Sequence, residues 1–248
     1  MTEGRGGPPR RGRERLIVAL DYPSLDAARA GALLVREHAG VLKVGLELFV
    51  RCGPAACKIA SEVGCELFLD LKLHDIPETV SRAVASAAGL GARYLTVHAS
   101  GGAAMLREAA GAASAAGIEL VAVTVLTSLE GADLEAQGIG RTAGQQASEL
   151  ALLAWDAGVR AFVCSPNEAG LLRARLGAAA RIITPGIRPA GSALGDQKRV
   201  STPTGAVLAG ADLIVVGRPI RDAADPGQAA QAIAAELELA FAARVAGP

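Results

Sequence analysis

Two carboxylates and an ammonium group are spaced closely in residues 70–77, Asp-Leu-Lys-Leu-His-Asp-Ile-Pro, which directly follow the apolar residues 67–69. Side chains alternate between the faces of a strand, so Asp70 and Lys72 would share one face. Their Cα atoms would lie roughly 6.5–7 Å apart, close enough for both side chains to reach one substrate atom. A salt bridge at a strand end is the alternative interpretation of this pattern taken alone.

Lys72 lies between Asp70 and Asp75 in this segment. At about 4 Å and an effective dielectric near 20, each ion pair is worth on the order of 4 kcal/mol before desolvation. Nearby carboxylates favour the charged form of a lysine. We therefore interpret Lys72 as a fixed cation and proton donor rather than an amine nucleophile.

The elements that would position this cluster follow one recurring pattern, a short apolar run and then an Ala-rich helical segment. Near-continuous apolar runs are typical of strands buried on both faces of a parallel sheet. Ser24 to His38 and Thr142 to Ala157 are examples of the helical segments, with Ser24 and Thr142 as N-caps. The predicted strands are Leu16 to Leu20, Val41 to Val44, Leu67 to Leu71, Tyr94 to Val97, Leu120 to Leu126, Ala161 to Cys164, Ile182 to Thr184 and Leu213 to Val216.

Eight such units without a boundary predict an α/β fold, a single (β/α)8 TIM barrel over residues 15–248. A doubly wound sheet is the alternative, and it predicts a glycine-rich fingerprint after the first strand. Residues 21–24, Asp-Tyr-Pro-Ser, are not one. Residues 1–14 combine Gly, Pro and Arg with almost no apolar side chain, which predicts a disordered basic tail.

Polar side chains collect where the predicted strands end, which is the face that carries the active site in TIM-barrel enzymes. His98 alone would be interpreted as a buried core histidine, and Thr127 as a cap of the next loop. Their coincidence at one rim favours catalysis. The residues concerned are Asp21, Lys43, Asp70, Lys72, His98, Thr127, Ser128 and Arg218.

Composition excludes several other classes of protein. The 25 basic and 25 acidic residues balance to a net charge of zero, so no nucleic-acid or anionic-membrane surface is indicated. Aromatic residues make up only 3%, which argues against base stacking. The four cysteines lack zinc-site spacing and no secretory signal precedes them, so we expect reduced thiols in a cytoplasmic protein. No apolar stretch approaches the length of a membrane span.

Two loops are typical of phosphate binding, residues 184–189 (Thr-Pro-Gly-Ile-Arg-Pro) and residues 216–220 (Val-Gly-Arg-Pro-Ile). The loops after strands seven and eight frequently hold a phosphate in these barrels. Gly186 and Gly217 allow main-chain N–H groups to approach an anion, and Arg188 and Arg218 supply forked donors. Residues 190–200 are polar and long enough to close over a ligand, where Gln197 could bind the phosphate.

Taken together, these segments resemble the orotidine 5′-monophosphate decarboxylases of pyrimidine biosynthesis. The Asp70 to Pro77 element is the most specific part of the resemblance. Tyr22 and Leu73 depart from the usual pattern, but neither carries the chemistry. The matching segments are residues 19–21, 43–45, 70–77, 96–98, 126–128, 184–189, 195–197 and 216–220, which span nearly everything except the tail and the last helix.

The resemblance implies cofactor-free decarboxylation of the nucleotide to UMP, with neither a metal nor an organic cofactor. Lys43, Asp70, Lys72 and Asp75 would form a charged catalytic network in a homodimer. Lys72 would protonate the ring carbon that loses carbon dioxide, and Asp70 would lie against the substrate carboxylate. Asp75 would enter from the partner subunit. The substrate-binding residues would be Asp21, Lys43, Ile76, Thr79, Thr127, Pro185, Arg188, Gln197, Gly217 and Arg218.

Two competing functions remain open at this point. A sugar-phosphate decarboxylase or aldolase that stabilises an enediolate with magnesium would share the Asp-x-Lys strand and the phosphate loops. A non-catalytic nucleotide-phosphate binder on a barrel scaffold is the other. His74 to Pro77 and Gly195 to Gln197 favour the nucleotide enzyme, and the intact charge network argues against a mere binder.

Overall fold

Eight parallel strands close into one barrel in the order β1 to β8, as a computed structural model of residues 12–189 and 201–246 describes it. The closed barrel confirms the predicted (β/α)8 fold and excludes the doubly wound alternative. The strands are β1 Leu16–Ala19, β2 Val41–Gly45, β3 Glu66–Leu73, β4 Ala92–His98, β5 Glu119–Val123, β6 Ala161–Val163, β7 Arg181–Thr184 and β8 Leu213–Val216.

Helices follow the strands around the outside of the barrel. The predicted N-caps are confirmed: the Ser24 hydroxyl accepts the N–H of Ala27 at 3.2 Å, and the Thr142 hydroxyl accepts that of Gln145 at 3.3 Å. The helices are α1 Gly12–Arg15, α2 Leu25–Val35, α3 Leu46–Cys52, α4 Pro54–Glu62, α5 Pro77–Ala88, α6 Gly102–Ala116, α7 Gly131–Ala136, α8 Ala143–Asp156, α9 Pro166–Leu176, α10 Pro203–Leu208, α11 Arg218–Arg221 and α12 Pro226–Ala246.

Strand ends differ from the prediction most clearly in β3 and β5. β3 continues to Leu73, but its register against β4 shifts between Leu69 and Leu73, so the strand bulges at its carboxyl end. β5 ends at Val123 rather than at Leu126. A turn closed by the N–H of Leu129 and the carbonyl of Leu126 carries the chain out of the sheet there.

The barrel interior is packed with side chains rather than open. One apolar residue from each strand forms the inner cluster, and the rings of Phe68 and Tyr94 stack within it with centroids 5.6 Å apart. Such layers fill the interior of a TIM barrel. The cluster consists of Ile17, Val41, Phe68, Tyr94, Val121, Ala161, Ile183 and Leu213.

Ion pairs link strands at the amino-terminal end of the barrel. Arg93 lies 3.7 Å from Glu66 and 3.5 Å from Glu119, and Arg181 also pairs with Glu119. These residues begin or nearly begin β3, β4, β5 and β7. This end of the barrel is therefore held by charge pairs, whereas the opposite end carries the predicted site.

The folded part of the chain begins earlier in the sequence than predicted. Residues 12–14 were expected to belong to the disordered tail, but Gly12–Arg15 form helix α1 against α12. Gly12 lies so close to the carbonyl of Ala234 that no larger residue fits, and the Arg15 guanidinium lies 3.4 Å from the centroid of the Phe241 ring. Both contacts are with a helix more than 200 residues away in sequence. Residues 1–11 lie outside the described range.

All four cysteines are free thiols in the structure. Burial raises the pKa of Cys57 to about 11 and also raises the pKa of Cys65. Among the described residues, no helix is both long enough and apolar enough to cross a membrane. The cytoplasmic location stays a prediction.

Candidate active site

Four charged side chains alternate in sign across the mouth of β1, β2 and β3. Lys43 Nζ lies 3.3 Å from Asp21 Oδ1 and 3.5 Å from Asp70 Oδ2, and Lys72 Nζ lies 2.8 Å from Asp70 Oδ1. The Lys43 and Asp70 side chains are only 12% and 13% exposed. A Cβ at Gly45 would lie 2.8 Å from Lys43 Nζ, so glycine at that position leaves room for the row. Each charge is therefore compensated by a neighbour of opposite sign.

The main chain at Lys72 is strained. Its φ of +50° makes it the one non-glycine residue with a positive φ among those described. A conformation of this kind costs on the order of 1–3 kcal/mol and persists only where surrounding contacts enforce it. The Lys72 N–H donates to Thr96 Oγ1 at 2.9 Å, and the Thr96 hydroxyl donates to Asp70 Oδ1 at 3.0 Å. The bulge in β3 is thus fixed by one hydroxyl on β4.

Asp70 is held as a carboxylate despite its burial. Burial alone would raise its pKa, but the ammonium groups of Lys43 and Lys72 and hydrogen bonds from Lys72 and Thr96 lower it below the ordinary value. The result is a buried anion at the centre of two cations. A ligand that meets Asp70 therefore meets a formal negative charge that cannot readily be neutralised.

The charged row borders a cavity of about 550 Å³ at the carboxyl-terminal mouth of the barrel. That volume is within the roughly 300–1,000 Å³ typical of small-molecule sites. Nine of the predicted site residues line it: Asp21, Lys43, Asp70, Lys72, Thr127, Pro185, Arg188, Gly217 and Arg218. The structure thereby brings together residues from six of the eight βα units.

The predicted phosphate loops form the side of the cavity opposite β3. Gly186 has a φ of +76°, a conformation that glycine adopts without strain. The loop is fixed by main-chain bonds: Arg188 N–H donates to the Ser201 carbonyl at 2.9 Å and Ser201 N–H to the Gly186 carbonyl at 3.3 Å. Arg188 and Arg218 both line the cavity, so this wall contains two guanidinium groups.

Sequence reasoning missed two groups of lining residues. The floor is apolar and consists of Ala19, Phe68, Val123, Val163 and Val215. Strand periodicity could have identified these floor residues. Each of them lies an even number of positions before a predicted polar residue or loop at the mouth, and so lies on the same face of its strand. Glu47 and Arg221 also line the cavity. Arg221 donates to the Asp21 carbonyl at 2.8 Å and so ties α11 to the end of β1, a contact that no local pattern signals.

Asp75, Ile76 and Thr79 do not line the cavity of their own chain. The expectation that Lys72 lies between two carboxylates is therefore wrong within one protomer, where its partner is Asp70. Asp75 lies in the turn after β3, and its carboxylate accepts the N–H of Ile76 at 2.6 Å. All three side chains are exposed, Ile76 by 66%. Gln197 lies outside the described residues.

Two histidines lie beside the charged row. The rings of His74 and His98 are 5.5 Å apart, and His98 is the last residue of β4. Burial lowers the pKa of His98, as do His74 and Lys72, while Asp70 opposes them. Within residues 12–189 and 201–246, no group of three or more His, Cys, Asp or Glu side chains is arranged to hold a metal ion.

A closed (β/α)8 barrel whose charged groups gather around one cavity at the carboxyl-terminal mouth has the build of a TIM-barrel enzyme. The model of the orotidine 5′-phosphate decarboxylase / HUMPS family matches residues 14–233. The chain belongs to this family.

Curated relatives agree with the family match over almost the whole chain. Orotidine 5′-phosphate decarboxylase of Anaeromyxobacter sp. strain K is 53% identical over 224 residues, which cover 90% of this chain and 98% of the relative. The protein of the same name from Thermobifida fusca is 54% identical over 226 residues, covering 90% and 95%. The crystal structure of orotidine 5′-phosphate decarboxylase from Lactobacillus acidophilus superposes with a TM-score of 0.79 at 36% identity, covering 90% of this chain and 99% of that one.

Proposed function

We propose that this protein decarboxylates orotidine 5′-monophosphate to UMP, the last step of de novo pyrimidine nucleotide synthesis, without a metal or organic cofactor. The names of the curated relatives support the reaction. The observation that carries the mechanism is the contact of Lys72 Nζ with Asp70 at 2.8 Å beside the cavity. It holds a cation where the reaction would generate negative charge.

Decarboxylation breaks the bond between the ring carbon and the carboxylate and leaves the electron pair on that carbon. The pair lies in the ring plane, so the ring π-system cannot delocalise it, and a nearby cation must stabilise it. Lys72 provides that cation and then gives its proton to the carbon, forming the C–H bond of UMP. Asp70 lies against the departing carboxylate, and its charge disfavours the substrate relative to carbon dioxide.

The remaining lining residues bind different parts of the nucleotide. Arg188 and Arg218 bind the phosphate, together with the main chain at Pro185 and Gly217 and with Gln197 from the segment after β7. Asp21 and Lys43 bind the ribose hydroxyls, and Thr127 binds the pyrimidine ring. Because the phosphate is remote from the reacting carbon, its binding free energy can be spent on excluding water and aligning the ring.

The catalytic unit in this proposal is a homodimer. Asp75, Ile76 and Thr79 are exposed at the rim and contribute nothing to the cavity of their own chain. In a symmetric dimer the same patch of each subunit reaches the other. Each site would then be completed by these three residues from the partner, and Asp75 would supply the second carboxylate beside Lys72.

Lys72→Ala tests this function directly. We expect purified wild-type protein to deplete the absorbance of orotidine 5′-monophosphate, and the variant to lose turnover by several orders of magnitude because it lacks both the cation and the proton. Binding of UMP should stay nearly unchanged, since the phosphate and ribose contacts remain. The measurement pairs the absorbance assay with calorimetric titration of UMP. Near-normal turnover of the variant would refute the role of Lys72.

A chelator separates this function from the magnesium-dependent alternative. Turnover should be the same with and without EDTA, and addition of Mg²⁺ to the chelated protein should not raise it. Loss of turnover in EDTA that Mg²⁺ restores would favour an enediolate mechanism instead.

A further inference from the structure

Thr96 is a fully buried polar residue in the middle of β4, and its hydroxyl contacts both members of the Lys72–Asp70 pair. The directions of its two hydrogen bonds are fixed by chemistry. A main-chain N–H can only donate, so Thr96 Oγ1 accepts from Lys72; an ionised carboxylate can only accept, so the hydroxyl proton points to Asp70. One side chain therefore bonds the main chain of the lysine and the side chain of the carboxylate.

The regular ladder between β3 and β4 does not supply these bonds. Pairing runs from Phe68 with Tyr94 to Leu69 with Leu95 and resumes only at Leu73 with Val97. Lys72 lies within the gap, where its φ of +50° turns its N–H toward the Thr96 side chain. The hydroxyl takes the place that a main-chain carbonyl of β4 would occupy in an unbulged strand.

We infer that Thr96 is a positioning residue that aligns Lys72 and Asp70 for the reaction, an inference that rests on the proposed role of Lys72. Thr96 is not among the residues that line the cavity, so we expect it to act through Lys72 and Asp70 rather than by contact with the nucleotide. Its effect is to lock the bulge, so that the ammonium stays 2.8 Å from Asp70 and directed into the cavity before substrate arrives. Displacement of a catalytic group by about 1 Å can cost roughly 100-fold in rate.

Thr96→Val is the informative change because it keeps the shape of the side chain and removes only the hydroxyl. We expect kcat to fall about 10- to 100-fold, while KM for orotidine 5′-monophosphate and the Kd for UMP change less than about threefold, since Arg188, Arg218 and Asp21 do not contact Thr96. Thr96→Ser retains the hydroxyl and should recover most of the lost kcat. Each kcat is calculated per binding site, with the number of sites determined by titration with UMP, so that unfolded protein is not counted.

Thr124→Val is the matched control. Thr124 is also a buried threonine at a strand end, and its hydroxyl donates to the Val163 carbonyl at 2.9 Å, away from Lys72 and Asp70. It should lower the melting temperature while leaving kcat per titrated site within about twofold of the wild type. If Thr96→Val is too unstable to purify, Thr96→Ala and Thr96→Ser give the same comparison, since they too differ by one hydroxyl.

The outcomes separate this inference from the proposed function. If Lys72→Ala is inactive but Thr96→Val turns over like the wild type, or if Thr96→Ser is as impaired as Thr96→Val, the positioning role is wrong and the role of Lys72 stands. If Lys72→Ala remains active, the proposed function fails first. A fall in kcat for Thr124→Val as large as that for Thr96→Val would also overturn the inference, because any buried hydroxyl would then matter equally.

Discussion

Lys72 joins an unfavourable main-chain conformation to a paired side chain. Lys72 has a left-handed main-chain conformation, and its strain would be relieved if the bulge in β3 straightened. Straightening, however, would move the ammonium group away from Asp70 and break the hydrogen bond to Thr96. The strained conformation is therefore maintained by several contacts at once, as is common at functional sites. A group held in this way has little freedom to lose when a ligand binds, which favours preorganised charge stabilisation.

His98 should make the free energy of unfolding depend on pH in the mildly acidic range. Its pKa in the folded protein lies below the ordinary value of 6.5, so the unfolded chain binds a proton more readily. Stability contributed by neutral His98 is therefore complete above about pH 6.5 and is lost as the pH falls through the folded pKa. We expect urea unfolding to show a declining free energy of unfolding from pH 7.5 to pH 5, and a shallower decline in His98→Gln.

The other ionisable groups around His98 are His74, Lys72 and Asp70. Asp70 contributes in a separate range, because its pKa is lowered from 3.8 and its stabilising effect is lost only below that value. Parallel curves for the wild type and His98→Gln between pH 7.5 and 5 would show that another group governs the decline.

The first residues of a helix show how the local sequence determines where the helix begins. At α9 the Ser165 hydroxyl accepts the N–H of Asn167 at 3.2 Å, while the Glu168 carboxylate accepts the N–H of Ser165 at 3.0 Å, forming a capping box. Both side chains are buried, which is unusual for a glutamate. This box therefore satisfies main-chain groups that water cannot reach.

Ser165→Ala should lower the free energy of unfolding by about 1–2 kcal/mol, the upper part of the range for loss of an N-cap. Thr142→Ala removes the corresponding hydroxyl from the exposed capping box of α8 and should cost only about 0.5–1 kcal/mol, because water can replace it. Urea denaturation of both variants makes the comparison. A larger loss for Thr142→Ala would contradict the argument from burial.

Local patterns were enough to predict the strands, two helix caps and the polar lining residues at the strand ends, because these depend on periodicity and on short-range bonds. Contacts between distant segments were not predictable in the same way. The bond from Thr96 to Lys72 depends on a register shift, and the ordering of Gly12 depends on Ala234. Asp75 is an odd number of positions from Asp70 and Lys72 and follows the end of β3, so strand alternation does not place it beside them, and its entry into the partner's site stays a prediction.

The dimer proposal makes a quantitative prediction for mixed subunits. Lys72→Ala and Asp75→Ala homodimers should each be inactive. After subunit exchange at equal concentrations, half of the dimers would be mixed, and each would contain one site with Lys72 from one chain and Asp75 from the other. About a quarter of wild-type activity should therefore return, measured by the absorbance assay.

Mixing Asp75→Ala with the double variant Lys72→Ala/Asp75→Ala is the control, since no combination of these chains restores a complete site. Activity that stays at zero in the first mixture, with exchange demonstrated by differently tagged subunits, would show that each site is made by one chain.

The closed end of the barrel has a consequence for what passes through the mouth. The cavity floor includes Phe68, a member of the inner apolar cluster whose ring stacks on that of Tyr94, and ion pairs link the strands at the far end. Among the described residues, this apolar layer separates the cavity from the amino-terminal end of the barrel. In the proposed reaction the nucleotide and carbon dioxide therefore pass through the same opening. Lys72, once it has given up its proton, is reprotonated by solvent that enters from that side.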